Sequence, residues 1–345
     1  MRHILDIPAE LEPVQVELSR AMPLVQDFFD RQLASDIPAV SRLCRQVDRY
    51  RGKMLRPTLT LLCGIAAHPE AAANRFNGLL TEKHAKSAAV CEMVHMATLV
   101  HDDVLDEADS RRGGDTVNRL YGNEAAVILG DYLIASAYQL CSTIDQESAL
   151  AVARASTTMC AGELLQLDRR DDWSLDEPTY FEILERKTAA LIGVSCELGA
   201  LHSGADAHTR EACRTFGTRL GVAFQIQDDL LDMTGREAVT GKSAGKDLEK
   251  GKLTLPLIHH LRNAAPLARG RTLDAIRSAS EPDGPTTTLA RSILTELESS
   301  GSIEHARLTA HRLVAEAKEK LSRLAQSKAK ELLMIMADAV VARSY

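Results

Sequence analysis

Two aspartate clusters, each closing an apolar helical run, constrain this chain more than any other feature. Val90, Met93, Val94, Ala97, Leu99 and Val100 recur at helical spacing and lead directly into His101-Asp102-Asp103-Val104-Leu105-Asp106. Asp102 and Asp106 then share one helix face at i and i+4. Three carboxylates within a turn repel each other, and burying them unpaired forces protonation or a large desolvation penalty. A second copy of the D-D-x-x-D spacing, Gln227-Asp228-Asp229-Leu230-Leu231-Asp232, closes the run Leu220, Val222, Ala223, Phe224, Ile226. Two helices of this kind can face each other across a cleft and hold metal ions between them. Such a clamp stabilises negative charge on a departing oxygen.

Oxygen-only ligands suit a hard cation, and sparse carboxylates suit Mg²⁺ that keeps waters and bridges to phosphate. The cationic residues nearby fit a phosphate partner. Arg111-Arg112-Gly113-Gly114 follows the first cluster, and a guanidinium fork matches phosphate oxygens. Upstream, Gly52-Lys53-Met54-Leu55-Arg56-Pro57 opens a helix through Leu59, Leu62 and Ile65, with Pro57 in its first turn. Lys53 and Arg56 would sit at a helix N-terminus, where positive charge is favourable only with an anion present. Lys187 interrupts a small, apolar stretch, as a snorkelling surface lysine or a cleft lysine would. The Gly- and Lys-rich segment from Gly241 to Lys252 lacks P-loop spacing, although Lys242 and Lys246 beside a carboxylate cluster could cradle a phosphate.

The net charge of −7 argues against nucleic acid as the main partner, so these basic clusters need a local explanation. The seven cysteines show no C-x-x-C pair and read as reduced thiols, mostly in helix cores. No leader-like start and no 18-residue apolar run occurs, so a cytoplasmic protein without a membrane span is expected. No Pro-, Gly- or Ser-rich linker divides the 345 residues, which suggests one large domain. The spacing predicts helices over about 14–33, 38–49, 82–106, 123–141, 148–167, 179–201 and 207–232, with four or five more after Leu253. Gly113-Gly114 reads as a chain break, and Leu175-Asp176-Glu177-Pro178 as a helix start.

Taken in order, Gly52-Lys53-x-x-Arg56-Pro57, Asp102-Asp103-x-x-Asp106, Arg111-Arg112-Gly113, Lys187-Thr188 and Gln225-x-x-Asp228-Asp229-x-x-Asp232 resemble the trans-polyprenyl diphosphate synthases. The resemblance runs from about residue 38 to the C-terminus; residues 1–35 form a helical extension outside it. It implies an all-α bundle around a deep central cavity, usually a homodimer. It also implies head-to-tail joining of an allylic diphosphate with isopentenyl diphosphate, releasing diphosphate and giving a lipid-soluble product. By that resemblance Asp102, Asp106 and Asp228 coordinate Mg²⁺, three ions with substrate bound, and Asp103, Asp229 and Asp232 serve as ligands or behind the ligands. Arg111, Lys187, Lys242 and, less securely placed, Lys246 would neutralise the allylic diphosphate. Lys53, Arg56, His95 and Arg112 would hold the isopentenyl diphosphate. Thr188 and Gln225 would turn oxygen dipoles to the allylic cation, with Gln166 supporting that wall. The resemblance also implies that the released diphosphate takes the final proton, so that no protein base would be required.

Product length follows from helix geometry. Residues four and five before Asp102, namely Thr98 and Ala97, lie about 5.4 Å further down the helix. Short-chain relatives carry an aromatic side chain there, whereas Ala97, Thr98, Val94 and Met93 leave the path open and imply a long, octaprenyl-like product. A geranylgeranyl- or farnesyl-length synthase, a terpene cyclase and a non-catalytic synthase subunit are the competing readings. The intact second acidic motif and the Lys53, Arg56 and Arg112 set disfavour the last two.

Overall fold

The computed structural model describes residues 9–47, 50–170, 172–234, 252–279 and 286–342. Its long helices are α1 (Glu12–Leu33), α2 (Pro38–Val47), α3 (Leu55–Ala67) and α4 (Glu82–Leu105). A two-stranded hairpin follows, β1 (Ser110–Arg111) and β2 (Gly114–Asp115), then α5 (Val117–Tyr121), α6 (Asn123–Cys141) and α7 (Gln146–Asp168). Next come α8 (Glu177–Leu184), a π-helical turn (Glu185–Ala189), α9 (Ala190–His202) and α10 (Ala207–Thr234). The C-terminal third contributes α11 (Leu255–Asn263), α12 (Pro266–Ala279), α13 (Thr286–Ser299), α14 (Ser302–Lys320) and α15 (Lys328–Val341). The all-α expectation is met, with the hairpin as the one pair of strands among the described residues.

The chain divides into two compact units. One comprises the chain through Thr157 with Leu191–Gly217 and Lys320–Met334; the other comprises Thr158–Ala190, Thr218–Glu319 and the remainder. In the first unit α4 is the central element, with α1, α3 and α6 packed on it. Its Ala88, Ala89, Val90, Met93, Met96, Ala97 and Val100 are fully enclosed, as expected of a helix that is apolar around most of its circumference. The second unit is built on Ile183, Leu184, Ile226, Leu230, Leu257, Ile258, Leu297 and Leu313.

Local chemistry sets the ends of these helices. The Thr81 and His84 side chains form a reciprocal cap at the start of α4. Asp176 caps α8 by accepting the Thr179 N–H at 2.9 Å, with a proline in the first turn.

Two sequence expectations are corrected. Gly113-Gly114 is not a break but part of a hairpin in which Arg111 pairs with Gly114. Arg112 (φ 51°) and Gly113 (φ 77°) both take the left-handed conformation, so the two turn residues match the right-handed twist of the strands. The helix expected over 179–201 is interrupted at Glu185–Ala189 by the π turn, an insertion that periodicity of 3.6 cannot register. Six of the seven cysteines are buried and Cys160 is exposed. Among the described residues no helix is long and apolar enough to cross a membrane.

Candidate active site

In the first unit the structure gathers residues from three separate motifs. Asp103 is 1 % exposed, and its Oδ1 accepts both Nε and an Nη of Arg111 at 2.7 Å. The buried Tyr50 phenol lies beside Asp103 and accepts the Val117 N–H at 3.1 Å. Burial pushes its ionisation above the usual phenol range, and Asp103 adds to the shift. Arg112, next in the hairpin, donates to the Tyr50 carbonyl. A Cβ at Gly52 would fall 2.6 Å from that guanidinium, so the glycine of the G-K-x-x-R-P segment is the floor on which Arg112 lies. His101 Nε2 reaches the Val127 carbonyl at 3.1 Å and ties the end of α4 to α6.

Arg56, the second residue of α3, is half-buried. Burial lowers its pKa, the carboxylate of Glu92 opposes that effect, and Arg112 adds to it. Glu92, on α4, is 2 % exposed and has its pKa raised by burial against the pull of Arg56, Arg112 and Arg51. His95 is held neutral, first by burial and then by Arg56, Arg112 and Arg111. Among the described residues Arg56 Nε and Glu92 Oε2 have no hydrogen-bond partner. A buried guanidinium N–H without an acceptor is suited to receive an anion. Lys53 is exposed, two residues before α3 begins.

The second unit holds the other half of the motifs. Asp229 is 1 % exposed and accepts from the Tyr180 hydroxyl at 2.7 Å, Gln225 Nε2 at 3.0 Å and Lys252 Nζ at 3.3 Å. Gln225 Oε1 accepts the Thr188 hydroxyl at 3.3 Å. Thr188 and Lys187 both stand on the π turn, and Lys187 is paired with Glu163 of α7. A Cβ at Gly162 would lie 2.6 Å from Lys187 N, so only glycine lets α7 approach the π turn this closely. Gln166, one turn beyond Gly162 on α7, is half-buried.

The two central aspartates are therefore enclosed and engaged by protein donors. Asp102, Asp228 and Asp232 are half-buried and Asp106 is exposed. Among the described residues no three His, Cys, Asp or Glu side chains converge into a ready-made cage. Hard, accessible oxygens without a closed cage fit a cation that keeps waters and shares its coordination with a diphosphate. Lys242 and Lys246 lie outside the described residues. Val94 and Ala97 are buried in α4, while Thr98 is half-buried and donates to the His95 carbonyl at 2.8 Å.

Sequence reasoning missed Tyr50, Tyr180, Glu92 and Glu163. The π turn and both tyrosines carry no motif signal. Glu92 could have been suspected as a lone acid within a run of buried apolar positions.

A polyprenyl synthetase family model matches residues 38–291. The chain belongs to that family. It is a prenyltransferase with the all-α isoprenoid synthase fold. It is 31 % identical to the octaprenyl diphosphate synthase of Escherichia coli (strain K12) over 334 residues, covering 96 % of this chain and 99 % of the relative. It is also 31 % identical to the heptaprenyl diphosphate synthase component 2 of Bacillus subtilis (strain 168), covering 95 % of this chain and 89 % of the relative. Among solved structures it resembles a polyprenyl synthase from Caulobacter crescentus CB15 complexed with calcium and isoprenyl diphosphate. The TM-score is 0.85 at 30 % identity, over 96 % of this chain and 98 % of that one.

Proposed function

We propose that this prenyltransferase condenses an allylic diphosphate with isopentenyl diphosphate head to tail, giving a long-chain, all-trans polyprenyl diphosphate and releasing diphosphate. The observation that carries the reading lies within the first unit: the G-K-x-x-R-P segment packs on the Arg111-Arg112 hairpin that hangs from the first acidic motif. A guanidinium site for one diphosphate thus adjoins a carboxylate site for the metal of another. Arg56, Arg112 and Lys53 hold the isopentenyl diphosphate, and His95, kept neutral, donates to it without adding charge.

Asp102, Asp106 and Asp228 are the proposed ligands of Mg²⁺, with Asp103, Asp229 and Asp232 as ligands or behind them. When bound, with three ions in the substrate complex, Mg²⁺ neutralises the charge that develops on the departing diphosphate. Lys187 exchanges Glu163 for that diphosphate, and Arg111 and Lys242 add positive charge to it. Thr188 and Gln225 present oxygen dipoles to the developing cation in fixed orientation, which removes reorganisation at the moment of reaction. Exclusion of water protects the cation from quenching.

The small side chains of Val94, Ala97 and Thr98 support a long product. Ala97→Phe is expected to shorten it by one or more isoprene units on mass analysis; unchanged length refutes the assignment. Incubation of the purified chain with Mg²⁺, isopentenyl diphosphate and farnesyl diphosphate tests the whole reading. Elongated product supports it, a cyclic hydrocarbon identifies a cyclase, and silence relieved by a second protein identifies a subunit, as the relative named component 2 would suggest. We take the chain to work as one synthase domain, since the family match runs through residues of both units. We further propose a homodimer in the cytoplasm: Ile128, Val127 and Tyr138 are exposed apolar side chains on α6, and scattered, mostly buried cysteines without a C-x-x-C pair suit a reducing compartment.

A further inference from the structure

Tyr180 belongs to no motif, yet its side chain ends in the second acidic cluster. It is 2 % exposed on α8, with its ring edge against Phe181 at 5.6 Å. Its hydroxyl donates to Asp229 Oδ2 at 2.7 Å, while Gln225 and Lys252 donate to Oδ1. The Thr188 hydroxyl donates in turn to Gln225. A continuous set of hydrogen bonds therefore runs from α8, through the last turns of α10, to the π turn.

The position of Asp229 gives this set its leverage. Asp228 is its neighbour, and Asp228 and Asp232 share a helix face at i and i+4. Pinning the residue between them from the α8 side fixes how α10 is rotated about its own axis, and so fixes where both outer carboxylates aim. The π turn carries one residue more than an α turn would hold, so its side chains take their direction from such tethers rather than from helix geometry.

We propose that Tyr180 is a positioning residue for the reaction: by pinning Asp229 it aims Asp228 and Asp232, and through Gln225 it orients Thr188. The proposal rests on the prenyltransferase reading above. Groups that orient metal ligands from behind change metal affinity or turnover by about 10–100-fold when removed.

The test compares wild-type protein with Tyr180→Phe, Asp229→Asn and the double variant. Calorimetric titration with inorganic pyrophosphate and Mg²⁺ is run alongside steady-state kinetics and thermal melting. Tyr180→Phe is expected to weaken Mg²⁺–pyrophosphate binding and lower kcat, each on the order of tenfold or more, with the KM for isopentenyl diphosphate unchanged. The double variant is expected to be no worse than Asp229→Asn alone, because both changes cut the same link. Unchanged pyrophosphate binding with a lowered melting temperature shows a merely structural tyrosine and overturns the proposal. Additive losses in the double variant overturn it as well. Should Tyr180→Phe fail to fold, Lys252→Met interrogates the same aspartate, and unchanged binding and turnover in it count against the proposal. Wild-type protein that neither binds pyrophosphate with Mg²⁺ nor elongates a primer sinks the prenyltransferase reading itself, a different result from wild-type binding with an unaffected variant.

Discussion

The two acidic motifs are almost the same in sequence, and the chain solves the same problem differently around each. Both bury their central aspartate to 1 % exposure. Asp103 is met by one guanidinium, which places two nitrogens on a single oxygen from a hairpin eight residues downstream, with the Tyr50 phenol beside it. Asp229 is met by a phenol, an amide and an ammonium drawn from three segments. Each arrangement includes a full positive charge; the first aims two nitrogens of one guanidinium at a single oxygen, whereas the second spreads an ammonium, an amide and a phenol over both oxygens. The motif specifies a buried carboxylate but not the means of compensating it.

The largest expected effect treats the motifs as equivalent. Asp102→Asn and Asp228→Asn should each lower kcat on the order of 10²–10³-fold, as loss of a preorganised electrostatic contact does. An assay in which only one of them matters would break the symmetry between the motifs. A second experiment sharpens the contrast in anchoring. Arg111→Met strands the buried Asp103 charge and should destabilise the protein by roughly 3 kcal/mol in urea unfolding. Tyr180→Phe leaves Asp229 its bonds from Gln225 and Lys252 and should cost about 1.5 kcal/mol, the loss of one hydrogen bond to a charged group. Equal losses would show that the two anchors are energetically alike.

The helices that carry the motifs also begin differently, and acid should separate them. α4 is capped by His84, which burial above all, with His202 nearby, lowers to about 4. Above the unfolded value of 6.5 the group is neutral in both states, so its contribution is constant there. Between 6.5 and about 4 the unfolded chain binds the extra proton, so stability falls as pH falls, by about 2 kcal/mol at pH 5. α10 begins at Asp206, whose Oδ1 accepts the Thr209 N–H at 2.7 Å and whose pKa is lowered by those bonds. Its contribution is lost only as pH drops below the ordinary carboxylate value. Urea midpoints at pH 7 and 5, with and without His84→Gln, measure the histidine share; a pH-independent difference between the two proteins would refute it.

The smallest effect concerns the first unit alone. Glu92→Gln removes a negative charge from among Arg56, Arg112 and Arg51, so the KM for isopentenyl diphosphate should fall a few-fold. A rise would show that Glu92 serves chiefly to hold those guanidinium groups in place.

The sequence by itself determined the helical content and most boundaries. The expectation of 123–141 coincides with α6, and that of 82–106 with α4 to within a residue. Both rest on periodicity, on caps and on breakers, which act over a few neighbouring residues. It also suggested the chemistry proposed for the site, because paired D-D-x-x-D clusters with arginines nearby suit a metal and a phosphate. The tertiary structure alone decided which aspartates are enclosed, that Arg111 is committed to Asp103, and that Gly52 makes room for Arg112. It alone revealed the π turn beneath Lys187 and Thr188. The Arg112 contact with Tyr50 spans 62 residues and that of Tyr180 with Asp229 spans 49. No local pattern encodes a partner at that distance; such pairs exist only once packing has brought the helices together.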